Sequence, residues 1–141
     1  MKKETILILE IDQNVTWTLK TLLENEGYPV VVANSIERAL GNFSNLMISG
    51  VITEYRIENV STLEAIRKLK ETFPGTYVMM ITNNETKMDE YEEIIEAGVD
   101  DYFLKPISIK KILLHLRKGL KYHSFFVEKS RLESEITRLH S

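Results

Sequence analysis

Cysteine is absent from the chain, which excludes disulfides and thiolate chemistry and fits a reducing compartment. A basic excess is missing too. The formal net charge is −3, and lysine and arginine are scattered among acids, so the sequence offers no positive field for nucleic acid. Long hydrophobic runs do not occur. The apolar run behind Met1, Lys2 and Lys3 stops by Ile11 and meets Glu10 on the way, so neither a signal peptide nor a membrane span is expected. The chain reads as cytosolic, with no nucleic-acid and no membrane partner. No internal repeat or low-complexity stretch is present. What remains is ordinary for a soluble globular protein: 141 residues, 43% apolar and 28% charged, enough for one domain with a continuous core.

Short apolar runs alternate with helical patterns. Residues 6–9, 29–32, 48–53, 77–82 and 99–104 read as strands. Helices are expected between them. Asp12 or Asn14 caps the first, whose apolar positions are Val15, Leu19, Leu22 and Leu23 and which Gly27 ends. The second opens at Ser35, runs through Phe43 and breaks at Asn45. Residues 56–60 read as a loop. Ser61-Thr62-Leu63-Glu64 has the form of a capping box for a third helix running to about Thr72. A fourth helix spans residues 85–97 before Gly98. Pro106 breaks the last strand, and Ser108 caps a fifth helix from Ile109. Five strands alternating with five helices predict a flavodoxin-like, doubly wound parallel sheet, order 2-1-3-4-5, with helices on both faces.

The fifth helix pattern continues to about Leu139, interrupted only by Gly119. Thirty residues of helix extend roughly 45 Å, beyond the reach of a domain of this size. We therefore read residues 1–121 as the domain and 122–141 as a helical extension, a coiled coil or linker. Leu132, Ile136 and Leu139 form a short seam, and Phe125, Phe126 and Val127 would be exposed on a lone helix.

In a parallel sheet, groups at the carboxyl ends of the strands gather in one crevice. Here those groups are Glu10, Glu54, Thr82 and Lys105. The acid after strand one, the carboxylate after strand three, Thr82 after strand four and Asp101-Tyr102-Phe103-Leu104-Lys105-Pro106 together resemble the receiver domains of two-component response regulators, over about residues 4–121. The resemblance implies a site where a histidine kinase phosphorylates an aspartate with Mg2+. Thr82 would match the hydroxyl and Lys105 the lysine that bind the phosphoryl oxygens, and Tyr102 the aromatic switch. Arg56 falls at the backbone carbonyl that ligates the metal, and Pro106 at a common cis peptide.

The acids depart from the pattern. Glu54 stands at the acceptor position, and the acid pair is Glu10 and Ile11; Asp12 joins it only with a one-residue shift of register. Asn83 replaces a small residue and Glu58 the usual loop proline. Mg2+ requires near-octahedral oxygen ligation, and a displacement of about 1 Å costs on the order of 10²-fold in rate, so little phosphorylation and no bound metal are expected. Glu54 is expected to pair with Lys105 and hydrogen-bond Thr82, imitating part of the phosphorylated state. The leading reading is an atypical receiver, not an enzyme, that acts by protein contact. Its partners would be a second copy, through residues 85–97, 99–104 and 109–120 or the C-terminal helix, and a histidine kinase or output domain. For the dimer, the acids Asp89, Glu90, Glu92, Glu93 and Glu96 face the bases Lys110, Lys111, Arg117 and Lys118. The alternative is a receiver that is phosphorylated with Mg2+. A flavin or nucleotide site is disfavoured, since residues 10–14 contain no glycine to bring amides onto phosphate. No hydrolytic triad is expected either, because His115, His123 and His140 all lie on the last helix.

Overall fold

The computed structural model describes residues 4–10, 12–41, 47–83 and 87–140. Thr5–Leu9 (β1) leads to Gln13–Asn25 (α1), Val30–Ala33 (β2), Ile36–Gly41 (α2) and Ile48–Thr53 (β3). Arg56–Ile57 (β4), Val60–Ser61 (β5), Leu63–Thr72 (α3) and Tyr77–Thr82 (β6) follow, then Met88–Ala97 (α4), Asp101–Leu104 (β7) and Ile109–Leu139 (α5). The main sheet has the order β2-β1-β3-β6-β7, every pairing parallel, as the alternating pattern predicts.

Alternation along the strands divides the core between the two sheet faces. Leu7, Val51, Val78 and Met80 meet Ala39, Ile66, Leu69 and Ile94 of α2, α3 and α4. Ile6, Ile8, Ile52 and Met79 meet Leu19 and Leu23 of α1 and Ile112, Leu116 and Leu120 of α5. Because β1, β3 and β6 are covered on both sides, every residue in them is buried.

Local chemistry sets the boundaries. Asp12 caps α1, its Oδ1 accepting from the amides of Asn14 at 2.9 Å and Val15 at 3.3 Å, and Ser108 caps α5 by accepting from Lys111 N–H at 3.2 Å. Gly98 closes α4 with φ 110°, a conformation glycine adopts without a steric cost. β2 begins at Val30, one residue later than expected. β7 begins at Asp101 because Asp100 is engaged sideways: its Oδ2 accepts from Val78 N–H and Lys70 Nζ, both at 2.9 Å. The expected break at Asn45 and the expected start of the fourth helix at Glu85 lie outside the described residues.

Two expectations fail after β3. Residues 56–60 are not an open loop but a two-stranded hairpin, Arg56 opposite Ser61 and Ile57 opposite Val60. Its turn residues Glu58 and Asn59 have φ 51° and 65°, the paired left-handed conformations of a tight hairpin turn. Proline, locked near φ −65°, cannot occupy Glu58 in this turn. The Ser61–Glu64 capping box does not form either. Thr62 is the N-cap, Ser61 Oγ accepts from Leu63 N–H at 3.2 Å, and Glu64 pairs with Arg67 at 3.4 Å. The Thr62 hydroxyl instead bonds back to the carbonyls of Glu54 at 2.8 Å and Tyr55 at 3.0 Å, which closes the hairpin onto the end of β3.

The 31 residues of α5 cross the second face and continue past it. Gly119 lies so close to the Tyr77 ring that an added Cβ would come within 2.2 Å of it, and Gly75 lies equally tight beneath Phe126. His123 is buried, its Nδ1 3.0 Å from Gly75 O, and Ser124 Oγ donates to Glu4 at 3.2 Å. Docking therefore extends past Lys121, the sequence-based boundary, to Phe126. Beyond it nearly every residue is exposed.

Candidate functional site

Glu10 follows β1, Glu54 follows β3 and Lys105 follows β7, so parallel strands deliver all three side chains to one edge of the sheet. Lys105 Nζ donates to Glu10 Oε1 and to Glu54 Oε2, each at 3.0 Å. Glu10 is only 7% exposed, and the side chains of Glu54 and Lys105 keep 13% and 28%. Burial by itself would lower the Lys105 ammonium. The hydrogen bonds to Glu10 and Glu54 outweigh it and hold the group above the usual lysine range.

The backbone around Glu54 is fixed from both sides. Its carbonyl accepts from the hydroxyls of Thr53 and Thr62, each at 2.8 Å, and its amide donates to Leu9 O at 3.0 Å. The other carboxylate oxygen, Oε1, accepts from Tyr55 N–H at 2.7 Å. The expected hydrogen bond from Thr82 to Glu54 is not made: the carboxylate's contacts are with Tyr55 N–H and Lys105 Nζ. Thr82 sits fully buried at the end of β6, its carbonyl accepting from Lys105 N–H at 2.8 Å.

The remaining positions lie around this bridge. The Lys105–Pro106 peptide is cis. Tyr102 is half-buried and meets Tyr91 of α4 edge to face, with ring centroids 5.8 Å apart. Arg56 is exposed on β4, its guanidinium 5.0 Å above the Tyr55 ring. Asp12 is exposed and serves as the cap of α1, outside the bridge. Ile11 lies outside the described residues.

Glu10 was expected at this edge, but not that it shares Lys105 with Glu54. Two participants escaped the sequence reading. Thr62 ties the hairpin to the acceptor strand. Tyr55 donates from its hydroxyl to Glu90 Oε2 of α4 at 3.3 Å; burial first, and then the Glu90 charge, raise its phenol pKa. That bond links the turn after Glu54 to α4. A Tyr directly after the acceptor position was the one available signal, and it has no spacing of its own.

As a donor set for Mg2+ these side chains fit poorly. The metal requires several oxygens at about 2.0–2.1 Å, but both carboxylates here are turned onto one ammonium. Among the described residues, no three His, Cys, Asp or Glu side chains are grouped to hold a metal ion. Some of the charges expected to pair between α4 and α5 of two copies also have contacts within the chain. Arg117 pairs with Glu26 at 3.0 Å, Lys111 lies 5.1 Å from the Phe103 ring centroid, and Glu90 turns toward Tyr55. No helix among the described residues is long and apolar enough to cross a membrane.

Comparison with known proteins places this edge in context. The response regulator receiver domain model matches residues 6–117. The uncharacterized transcriptional regulatory protein YkoG of Bacillus subtilis is 29% identical over 121 residues, 86% of this chain and 53% of that protein. Transcriptional regulatory protein CpxR of Escherichia coli is 31% identical over 119 residues, 82% of this chain and 49% of that one. The chain thus spans about half the length of these curated relatives. A CheY-like receiver domain protein from Methanospirillum hungatei superposes with a TM-score of 0.80 at 23% identity, covering 87% of this chain and 98% of that one. With a parallel sheet in the order β2-β1-β3-β6-β7 and a matched segment spanning most of its length, the chain belongs to the response regulator receiver domain family.

Proposed function

We propose that this receiver domain does not take up a phosphoryl group and signals by protein contact from a largely fixed conformation. The observation that carries the reading is the bridge itself: one ammonium 3.0 Å from both Glu10 and Glu54, where a metal and a phosphoryl group would otherwise require those positions. Glu54 supplies one negative charge against the roughly −1.5 to −2 of a phosphorylated side chain, so it imitates that state only in part. The Tyr55–Glu90 bond and the Tyr102–Tyr91 contact then hold the β3 turn, β7 and α4 in register.

Self-association is the contact we favour. Tyr122, Phe125, Lys129, Leu132, Ile136 and Leu139 follow one another at spacings of three and four along α5, the seam of a coiled coil. The five apolar members are 47–69% exposed. Flanking pairs Glu128–Arg131, Lys129–Glu133 and Glu135–Arg138 support the helix where it leaves the domain. Ile95 and Leu104 add exposed apolar surface near α4 and β7. Incubating the protein with acetyl phosphate and Mg2+ and measuring its intact mass tests the first part, and sedimentation equilibrium tests the second. A chain that gains a phosphoryl group is an ordinary receiver, and one that stays monomeric at high concentration does not signal through this seam.

A further inference from the structure

The outer edge of the sheet carries a groove of about 370 Å³, where α1 and α2 flank the end of β2. Gln13, Thr16, Trp17 and Lys20 line it at spacings of three and four along α1, one stripe of the helix, while Leu19 and Leu23 turn into the core. Asn34 after β2 and Arg38 of α2 line it across from that stripe. Trp17, the chain's one tryptophan, is 70% exposed. An exposed apolar side chain standing alone is ordinary, so the ring by itself assigns nothing. Its neighbours do.

Lys20 and Arg38 are both exposed, and among the described residues their side chains make no ion pair or hydrogen bond. Glu24 and Glu37 lie close to them in sequence but do not line the groove. The acid that borders it is Glu10, only 7% exposed and held by Lys105 at 3.0 Å. The accessible charge is therefore positive and selects an anion. A carboxylate would match one of the two cations, whereas a phosphate monoester brings roughly −1.5 to −2 and can take the arginine fork on two oxygens. The exposed amides of Gln13 and Asn34 carry both donors and acceptors, which suits ring heteroatoms and sugar hydroxyls. A protein partner fits less well. Apart from Trp17 the one apolar lining residue is the half-buried Val32, and interface anchors sit in clusters. A nucleic-acid strand also fits less well, because two cations on a chain of net charge −3 give little hold on a polyanion.

We propose that this groove binds a nucleoside monophosphate, its base stacked on Trp17 and its phosphate held by Lys20 and Arg38. The site lies apart from the strand-end crevice, where the lack of glycine disfavours a nucleotide, and it holds phosphate with side-chain cations instead of backbone amides. Its volume falls in the range of small-molecule sites, roughly 300–1,000 Å³. The proposal stands independently of whether position 54 takes up a phosphoryl group.

Because Trp17 has no other tryptophan beside it in the chain, its fluorescence, excited beyond the absorption of the bases, reports on this groove. The ribonucleoside 5′-monophosphates, their nucleosides and ribose 5-phosphate serve as probes for emission and calorimetric titration of the full chain at neutral pH. At least one monophosphate is expected to bind one to one and quench the emission, with its nucleoside and ribose 5-phosphate each about tenfold or more weaker. Lys20→Gln combined with Arg38→Gln should lower the nucleotide to the affinity of its nucleoside. In calorimetry Trp17→Ala should lower it to that of ribose 5-phosphate, and Trp17→Phe should recover most of the loss. All three positions are exposed, and an unchanged melting temperature shows that each variant folds. No binding of any monophosphate, equal binding of nucleotide and ribose 5-phosphate, or full affinity in the double variant would overturn the proposal. An oligoadenylate that binds more tightly than every mononucleotide would overturn it in favour of a single strand.

Discussion

Lys105 carries the site because its ammonium bridges two carboxylates, one of them almost wholly buried. Removing one partner of such a bridge leaves charge stranded, so Lys105→Met is expected to cost about 3 kcal/mol in chemical denaturation. That is the low end for a buried pair, since the lysine keeps some solvent access. Glu54→Gln should cost less, because Glu10 still holds the ammonium. The pH dependence follows from the direction of two shifts. Lys105 lies above its usual value through Glu10 and Glu54 despite burial, and Tyr77 does so through burial and its bond to Asp101. Both hold their proton more tightly folded than unfolded. Their contribution is complete below the unfolded values, about 10–10.5, and is lost as the pH rises through the folded ones. Thermal unfolding followed across alkaline pH should show stability falling above about pH 10, with a shallower fall in Tyr77→Phe. At this scale the sequence was informative for Glu54 and Lys105, whose strand-end positions are local features. It was silent on Glu10 sharing the lysine, and it assigned Thr82 a bond that Tyr55 N–H makes, because side-chain partners across strands depend on register and rotamer.

Elements were legible where periodicity is strong. The five sheet strands and their parallel order follow from apolar runs too short for helices and from the helices between them. The hairpin after β3 was not, since its strands are two residues each and Glu58-Asn59 carries no glycine to mark a turn with two left-handed residues. The capping box failed for a related reason: a local motif competes with tertiary demand, and Thr62 is drawn to the Glu54 carbonyl. Gly119 looked like a weak point in a long helix and proves to be a contact. Gly119→Ala would gain roughly 0.8–1 kcal/mol of helix propensity, yet its Cβ would meet the buried Tyr77 ring. A net loss of about 1–2 kcal/mol is expected by thermal or chemical unfolding, overpacking outweighing propensity.

At the scale of the whole molecule, the domain is anchored to its projecting helix as far as Phe126 and exposed beyond it. Deleting residues 129–141 should therefore leave the domain's melting temperature nearly unchanged while abolishing self-association in sedimentation equilibrium. A truncated chain that still dimerises would move the interface to α4, β7 and the first half of α5. The sequence indicated the projection from length alone, but not how far docking runs, because that depends on Gly75 and His123 meeting at the far end of the sheet. The central claim is that a carboxylate and a lysine already close the place where a phosphoryl group would arrive. Intact-mass measurement after incubation with acetyl phosphate and Mg2+ tests it most directly: an unchanged mass is predicted, and a gain of one phosphoryl group, lost in Glu54→Gln, would contradict it.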